Sequence, residues 1–514
     1  MNHDSWIAVL DFGSQYSHLI ARRIREQKVY SELIRFDTPA KELAKRKPSG
    51  VILSGGPSSV FEKGAPVCDP AIYKLGIPIL GICYGMQLTA KLLGGLVKHY
   101  KEREYGHMQL SIAKDEELFK DLPATIKVWM SHGDQVHSLP QGFKIAAETY
   151  NCPIAAMSCS SRHIYGVQFH PEVVHTQYGT EILKRFVFDI CHSKATWEMS
   201  HFVRKSIAAI RKRVGSNHVV CAVSGGVDSS VVAALVHKAI GNKLHCIFVD
   251  TGLMHFDEAK HVEEIFETVF DMDLTLVNAS ERFLSQLQGI VDPEKKRKLI
   301  GKTFIDVFSE EARKLGDIKF LAQGTLYPDV IESISPIGGP SKTIKTHHNV
   351  GGLPEDLHFQ LIEPLRELFK DEVRILGREL GLPDYIVERQ PFPGPGMAVR
   401  ILGEVTAERV AMLQQADIRV QEELKKLKCY RDIWQSFAIL LPVHTVGVMG
   451  DSRTYENVVA LRIVESSDAM TADFFHVPYD VLGTIANRII NEVSGINRVV
   501  YDISSKPPAT IEWE

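Results

Sequence analysis

The chain has 514 residues, enough for roughly three domains of about 150 residues each. Apolar residues at 45% and charged residues at 24% are close to the globular average, which excludes a largely disordered chain. A net charge of −4 excludes a broad basic footprint for nucleic acid.

Apolar stretches such as Val231–Val236 end well short of the ~18 residues a membrane span needs. The start, SWIAVLDFG, has no basic region before its apolar run, so neither a secretory leader nor a membrane partner is expected, and a cytoplasmic location is. From the start to about residue 195, the runs WIAVLDFG, GVILSGGP, PILGICYG and IYGVQFHP read as buried strands entering Gly- or Pro-marked turns. Helical patterns alternate with them, which predicts an α/β domain over 1–195 with a mainly parallel sheet. The polar helical stretch KATWEMSHFVRKSIAAIRKRVGSN links it to a second series. That series, VVCAVSGGVDSS, LHCIFVDTGLM, LTLVNA and IKFLAQGTLYPD, predicts a second doubly wound unit over 196–389. It ends at RQPFPGPGMA, where neither helix nor central strand is expected. Over 390–514, a charged helix, strand-like runs and a further helix predict a smaller α+β unit.

Eight cysteines stand at 68, 83, 152, 159, 191, 221, 246 and 429, with no CxxC pair among them. Most are expected to be reduced thiols in apolar surroundings. Cys83 differs. Gly81 and Gly85 flank it in a strand-to-helix turn, the nucleophile-elbow pattern with a thiol replacing the hydroxyl. The helix N-terminus after such a turn favours a thiolate and aims N–H groups at a developing oxyanion. Later, His170 and Glu172 stand two apart at a predicted strand end, where an extended backbone points both to one face. A histidine there takes the thiol proton while the carboxylate fixes its tautomer.

Together DFGSQYSHLIARRIRE, SGGPSSV, GICYGMQL, WMSHGDQV and YGVQFHPEVVHT resemble the class I glutamine amidotransferases. The resemblance implies that Cys83 attacks the glutamine side-chain amide, with His170 as base and Glu172 as the orienting acid. It places the oxyanion hole at Gly55 and the Tyr84 backbone, and a contact to substrate glutamine at Gln87.

In the second series, Ser224, Gly225, Gly226, Val227, Asp228, Ser229 and Ser230 lie between a strand and a helix. The glycines admit an anion close to the backbone, and the serines and helix N-terminus supply donors. No G-K-[ST] follows, so this is not a Walker loop. A pocket of N–H and hydroxyl donors suits a pyrophosphate that leaves as a unit, with Asp228 holding Mg²⁺ against it. The loop resembles that of the ATP pyrophosphatases, which implies adenylation of a substrate oxygen. Ammonia from the first unit is a fitting nucleophile, provided it is transferred unprotonated.

The segments QGTLYPDVIES, SKTIKTHHNVGGLPEDL, EPLRELFKDEVR, RQPFPGPGMAVRILGE and KPPATIEWE resemble the GMP synthetase family, from about residue 7 to the C-terminus. That resemblance implies a ligase converting xanthosine 5′-monophosphate (XMP) to GMP with ATP and glutamine, no redox cofactor, and a homodimer through the C-terminal unit. It implies that Asp329, Glu332, Lys370 and Asp371 sit near the adenylating centre and Lys345 in a lid. Arg297, Gln435, Arg498, Lys506, Ile511 and Glu512 would contact the acceptor. Cationic donors suit its monophosphate, and a carboxylate suits a purine ring N–H.

Two positions depart from the family's pattern: His255, where a basic residue such as Arg is expected, and Gln390, where His is common. Two other readings stand beside this one. An RNA-modifying relative of the pyrophosphatases is disfavoured by the charge and the complete glutaminase set. A non-catalytic nucleotide or glutamine sensor is disfavoured by the intact Cys83, His170 and Glu172.

Overall fold

The computed structural model describes residues 5–14, 16–270, 272–316, 318–332, 359–449, 452–466 and 471–514. The chain divides into two compact units, the first of Met1–Phe202 with Pro328–Thr343 and the second of Val203–Tyr327 with Ile344–Glu514.

The first unit is built on a nine-stranded sheet: β1 (Trp6–Asp11), β2 (Tyr30–Arg35), β3 (Gly50–Leu53), β4 (Ile79–Ile82), β5 (Leu96–Ile112), β6 (Thr125–Ser138), β7 (Lys144–Glu148), β8 (Ala156–Cys159) and β9 (Ile164–Val167). The order is β2-β1-β3-β4-β9-β8-β7-β5-β6. Strands β1, β3, β4 and β9 are buried along their whole length and pair in parallel, as continuous apolar runs predict. Beyond β9 every pairing is antiparallel, an extension that the sequence reading did not anticipate. Strand β6 shows why it forms: its burial alternates from Thr125 to Met130, the mark of a sheet with one solvated face. This hairpin carries Ser131 to Cys83 and Asp134 to Gln87.

The second unit contains a wholly parallel sheet of β10 (Val219–Val223), β11 (Leu244–Asp250), β12 (Leu274–Asn278), β13 (Phe320–Ala322) and β14 (Gln360–Ile362). Its order, β12-β11-β10-β13-β14, reverses direction between β10 and β13. Ligands of such sheets bind beyond the strand C-termini at that reversal. The serine-glycine loop follows β10, and Gly324 follows β13; a Cβ built on Gly324 would stand 3.4 Å from the Asp228 Cβ.

In the same unit a long antiparallel hairpin, β15 (Gln435–Met449) and β16 (Ser452–Glu465), is joined by β17 (Asp473–Phe474) and β18 (Ile496–Tyr501). Helix Ala407–Leu424, capped by the Thr406 hydroxyl on Arg409 N–H, and helix Tyr479–Glu492 cover it. One apolar core runs from Val220 and Ile247 through Met397 and Ala398 to Val459 and Ile489. The parallel sheet and the hairpin are therefore packed as one body.

Candidate active sites

Strand β4 delivers Cys83 to a turn that only close packing permits. Cys83 has φ 50° and ψ −105°, a left-handed φ that is costly outside glycine. Its N–H donates to Val167 O at 2.8 Å, and its carbonyl accepts from Gln87 N–H at 3.1 Å. The flanking glycines are required by contact: a Cβ at Gly85 would lie 2.3 Å from Leu53 O, and one at Gly81 2.6 Å from Met86 N. Helix Tyr84–Leu92 starts at once, leaving the Tyr84 N–H among its unpaired leading donors.

The buried sulfur lies among polar partners. Cys83 Sγ approaches Ser131 O at 3.8 Å and accepts from Gln168 Nε2 at 3.6 Å. By contrast, burial pushes the Cys68 thiol up to about 11 and the Cys152 and Cys221 thiols up to about 12, which keeps them protonated and inert. As expected, the eight cysteines are unpaired thiols, seven of them buried.

His170 Nδ1 meets Glu172 Oε1 at 2.8 Å, with both side chains buried. The predicted pair therefore forms, but not on an extended strand. Strand β9 ends at Val167, and the following residues bend and turn. The turn is tied to β6: His170 N–H donates to Trp129 O at 3.1 Å, and the Thr176 hydroxyl donates to His170 O at 2.6 Å. Burial alone would lower the His170 pKa. The Glu172 charge, with hydrogen bonds to Cys83 and Glu172, outweighs it and holds the imidazole well above the ordinary histidine range. Bonding Nδ1 to the carboxylate leaves Nε2 for the thiol.

That shift has a pH signature. A histidine whose folded pKa is raised stabilises the fold fully below the unfolded value of ~6.5, and the stabilisation is lost as pH rises through the folded value. Glu172→Gln leaves burial dominant, so the ring pKa falls. The stability gap between wild type and Glu172→Gln, read from urea midpoints, should be widest below about pH 6.5 and narrow at higher pH. A gap constant across that range would contradict the pairing.

Gly55 lies against this histidine: a Cβ there would stand 3.2 Å from His170 Cε1. Ser54 O accepts from Gly85 N–H at 3.1 Å, so the Gly55 N–H, at the opposite side of the same planar peptide, points the other way. Gln87 donates from Nε2 to Asp134 O at 2.7 Å and to Gln168 Oε1 at 3.2 Å. Both of its amide donors are thus engaged, and its carbonyl remains for a ligand.

In the second unit, Gly225 has φ +74°, and a Cβ there would meet Glu258 Oε1 at 2.6 Å, so glycine is needed. Helix Val227–Ile240 starts two residues later. Ser224 N–H donates to Ser229 Oγ at 3.2 Å, and the Ser229 and Ser230 hydroxyls donate to Gly226 O at 3.0 Å. Arg389 secures the loop by donating to Gly225 O at 2.9 Å while pairing with Glu258. Sequence reading missed Arg389 and Glu258, whose contacts join residues 131 and 164 positions apart.

Asp228 is held by Lys370 Nζ at 2.6 Å from both oxygens, which brings together two predicted residues 142 apart in sequence. An ionised carboxylate offers about four lone-pair sites, so about two remain. That suits Mg²⁺, which takes one or two carboxylates and completes its shell with phosphates and water. Asp371 follows Lys370 in helix Lys370–Glu379, and Asp329 lies on helix Tyr327–Glu332. The Glu332 side chain and Lys345 lie outside the described residues.

Of the predicted acceptor contacts, Gln435 Nε2 donates to Glu512 Oε1 at 2.8 Å, with Ile511 next in the chain, and Arg297 donates to the Glu514 carbonyl. Arg498 is exposed on β18 and bonds Thr445 Oγ1 at 3.3 Å, while Lys506 pairs by backbone with Ala472. The two departures have local partners. His255 Nδ1 lies 3.2 Å from the fully buried Asp417, and its ring packs on Phe392 with centroids 4.2 Å apart. Gln390 Oε1 accepts from both N–H and Oγ of Ser436 at 2.9 Å.

The chain matches three families of known proteins. Residues 8–190 match the family described as glutamine amidotransferase class-I, residues 206–291 asparagine synthase, and residues 422–513 the GMP synthase C-terminal domain. A relative from Brachyspira hyodysenteriae is 57% identical over 513 residues, spanning 100% of both chains. Others from Dehalococcoides mccartyi and Carboxydothermus hydrogenoformans are each 58% identical over 99% of this chain, and over 95% and 100% of their own. All three are described as GMP synthase, glutamine-hydrolyzing.

Proposed function

The chain belongs to the glutamine-hydrolysing GMP synthases, and from that premise we propose how its residues divide the work. It is a ligase that uses glutamine as nitrogen donor and ATP to make GMP. The RNA-modifying and sensor readings are not favoured by identity over the full length.

In the first reaction, Cys83 Sγ attacks the side-chain amide carbon of glutamine as His170 Nε2 takes the thiol proton. The oxyanion is received by the Gly55 and Tyr84 N–H groups. His170⁺ returns the proton to the departing nitrogen, ammonia leaves, and a thioester remains. Water, deprotonated by His170, hydrolyses the thioester to glutamate and restores the thiol. Glu172 holds the ring by Nδ1 throughout. What supports this reading above all is the buried contact at 2.8 Å between His170 and Glu172 beside a thiol on a strained elbow.

In the second reaction, the serine-glycine loop from Ser224 to Ser230 cradles the ATP phosphates. The O2 atom of XMP attacks the α-phosphorus, pyrophosphate leaves, and ammonia then adds at C2 and expels AMP. Asp228, with its two remaining lone-pair sites, would hold Mg²⁺, which neutralises phosphate charge when bound. Lys370 keeps that carboxylate in place between turnovers.

Three divisions, 1–195, 196–389 and 390–514, serve as the glutaminase, adenylating and acceptor-binding parts. A homodimer through the last part is supported by the exposed Val443, Val446, Val448 and Tyr455 on the β15–β16 hairpin. Among the described residues no helix is long and apolar enough to cross a membrane. We place the protein in the cytoplasm, acting on small molecules without nucleic acid. The test is AMP release with Mg²⁺ and ATP, compared with and without XMP. Release that requires XMP and proceeds with glutamine or ammonium supports the reading; release indifferent to XMP overturns it.

A further inference from the structure

Fully buried cations are rare, because a lysine or arginine loses its hydration unless every donor finds a partner. Among the described residues, the second unit buries three almost completely: Lys296, Arg400 and Arg462. All three end on the C-terminal segment. Arg462 donates to Ser504 O at 2.6 Å and Thr510 O at 3.1 Å. Lys296 Nζ bonds Ile401 O at 2.7 Å and Glu514 Oε2 at 2.5 Å. Arg400 grips Glu512 as a fork, NH2 to Oε1 at 2.9 Å and Nε to Oε2 at 3.2 Å.

We propose that Arg400 is the positioning residue of the acceptor site, fixing the Glu512 carboxylate in the one orientation that can receive a purine ring N–H. This rests on the assignment of Glu512 as an acceptor contact. The Arg400 guanidinium lies over the Phe392 ring at 4.9 Å and the Phe437 ring at 4.0 Å, which prevents the fork from turning. Gln435 adds its bond to Oε1. Three of about four acceptor sites on Glu512 are then filled, and the one left is on Oε2. A single, oriented acceptor matches a single ring N–H and discriminates against a base edge that presents a lone pair there.

Lysine in place of Arg400 keeps the charge and loses the fork. Glu512→Asp keeps the charge and withdraws the carboxylate by one methylene. With ammonium as nitrogen source, each of Arg400→Lys, Glu512→Asp and Glu512→Gln should raise KM for XMP about 10–100-fold. KM for ATP and the glutaminase rate should change little. Because Arg400 acts through Glu512, the Arg400→Lys/Glu512→Gln double variant should be no worse than Glu512→Gln alone. Multiplying effects in the double variant would overturn the proposal, as would wild-type KM for XMP in Arg400→Lys. Should Arg400→Lys fail to fold, Glu512→Asp decides: wild-type KM for XMP there overturns the proposal by itself. Absence of XMP-dependent AMP release from the wild type would instead count against the function assigned above.

Discussion

Cys83→Ala should lose glutamine-dependent GMP formation by roughly 10⁴-fold or more while keeping synthesis from added ammonium salts. The size follows from chemistry: without the sulfur there is no thioester, and amide hydrolysis must proceed in one uncatalysed addition of water. The selectivity follows from structure. Cys83 lies in the first unit, on an elbow whose neighbours are Val167, Ser131 and Gln168, and the serine-glycine loop belongs to the second. Alanine removes only the Sγ, but it inherits the φ of 50°, so near-normal folding has to be checked by the melting profile. The measurement is GMP formed per minute with glutamine and with ammonium, side by side. Equal loss from both sources in a folded variant would show that the division of labour is wrong.

Asp228→Asn should remove both routes, by about 10²–10³ or more, because adenylation precedes the use of either nitrogen source. Two effects combine. The amide no longer offers a charged pair of oxygens to Mg²⁺, and Lys370, now held by both oxygens at 2.6 Å, loses its counter-charge. Glutaminase activity measured alone, as glutamate released, should persist. If ammonium-driven synthesis survives in Asp228→Asn, Asp228 is not at the adenylating centre.

The local parts of both sites were legible in the sequence because their signals are local. G-x-C-x-G specified a strand-to-helix elbow, and the distances to Leu53 O and Met86 N give the reason for each glycine. S-G-G-V-D-S-S specified a donor loop at a helix start, and Gly225 takes up the positive φ. The pairing of His170 with Glu172 was anticipated for the wrong geometric reason: the contact is made by a turn anchored on Trp129 and Thr176 rather than by an extended strand.

What escaped the sequence was long-range or disguised. Ser131 reaches the sulfur from the middle of β6 and Gln168 from just past the end of β9, a juxtaposition that no short window reveals. The resemblance put Lys370 and Asp228 near one centre, but their direct ion pair appears only in the fold. Arg400, Lys296 and Arg462 are of residue types that are almost never fully buried, yet they are among the largest fully buried side chains. His255 and Gln390, which stood out as departures, are bonded into the same region, to Asp417 and Ser436. Burial would raise the Asp417 pKa, but the His255 bond and the His255 and Arg400 charges outweigh it and hold the carboxyl below its usual range.

The most direct test of the whole account follows the nitrogen. With glutamine labelled with ¹⁵N at the side-chain amide, and unlabelled ATP and XMP, the exocyclic amine of newly formed GMP should carry the label. Excess unlabelled ammonium should dilute it only partly. Product GMP that forms at the normal rate but carries no label would contradict the transfer of ammonia from Cys83 to the activated purine.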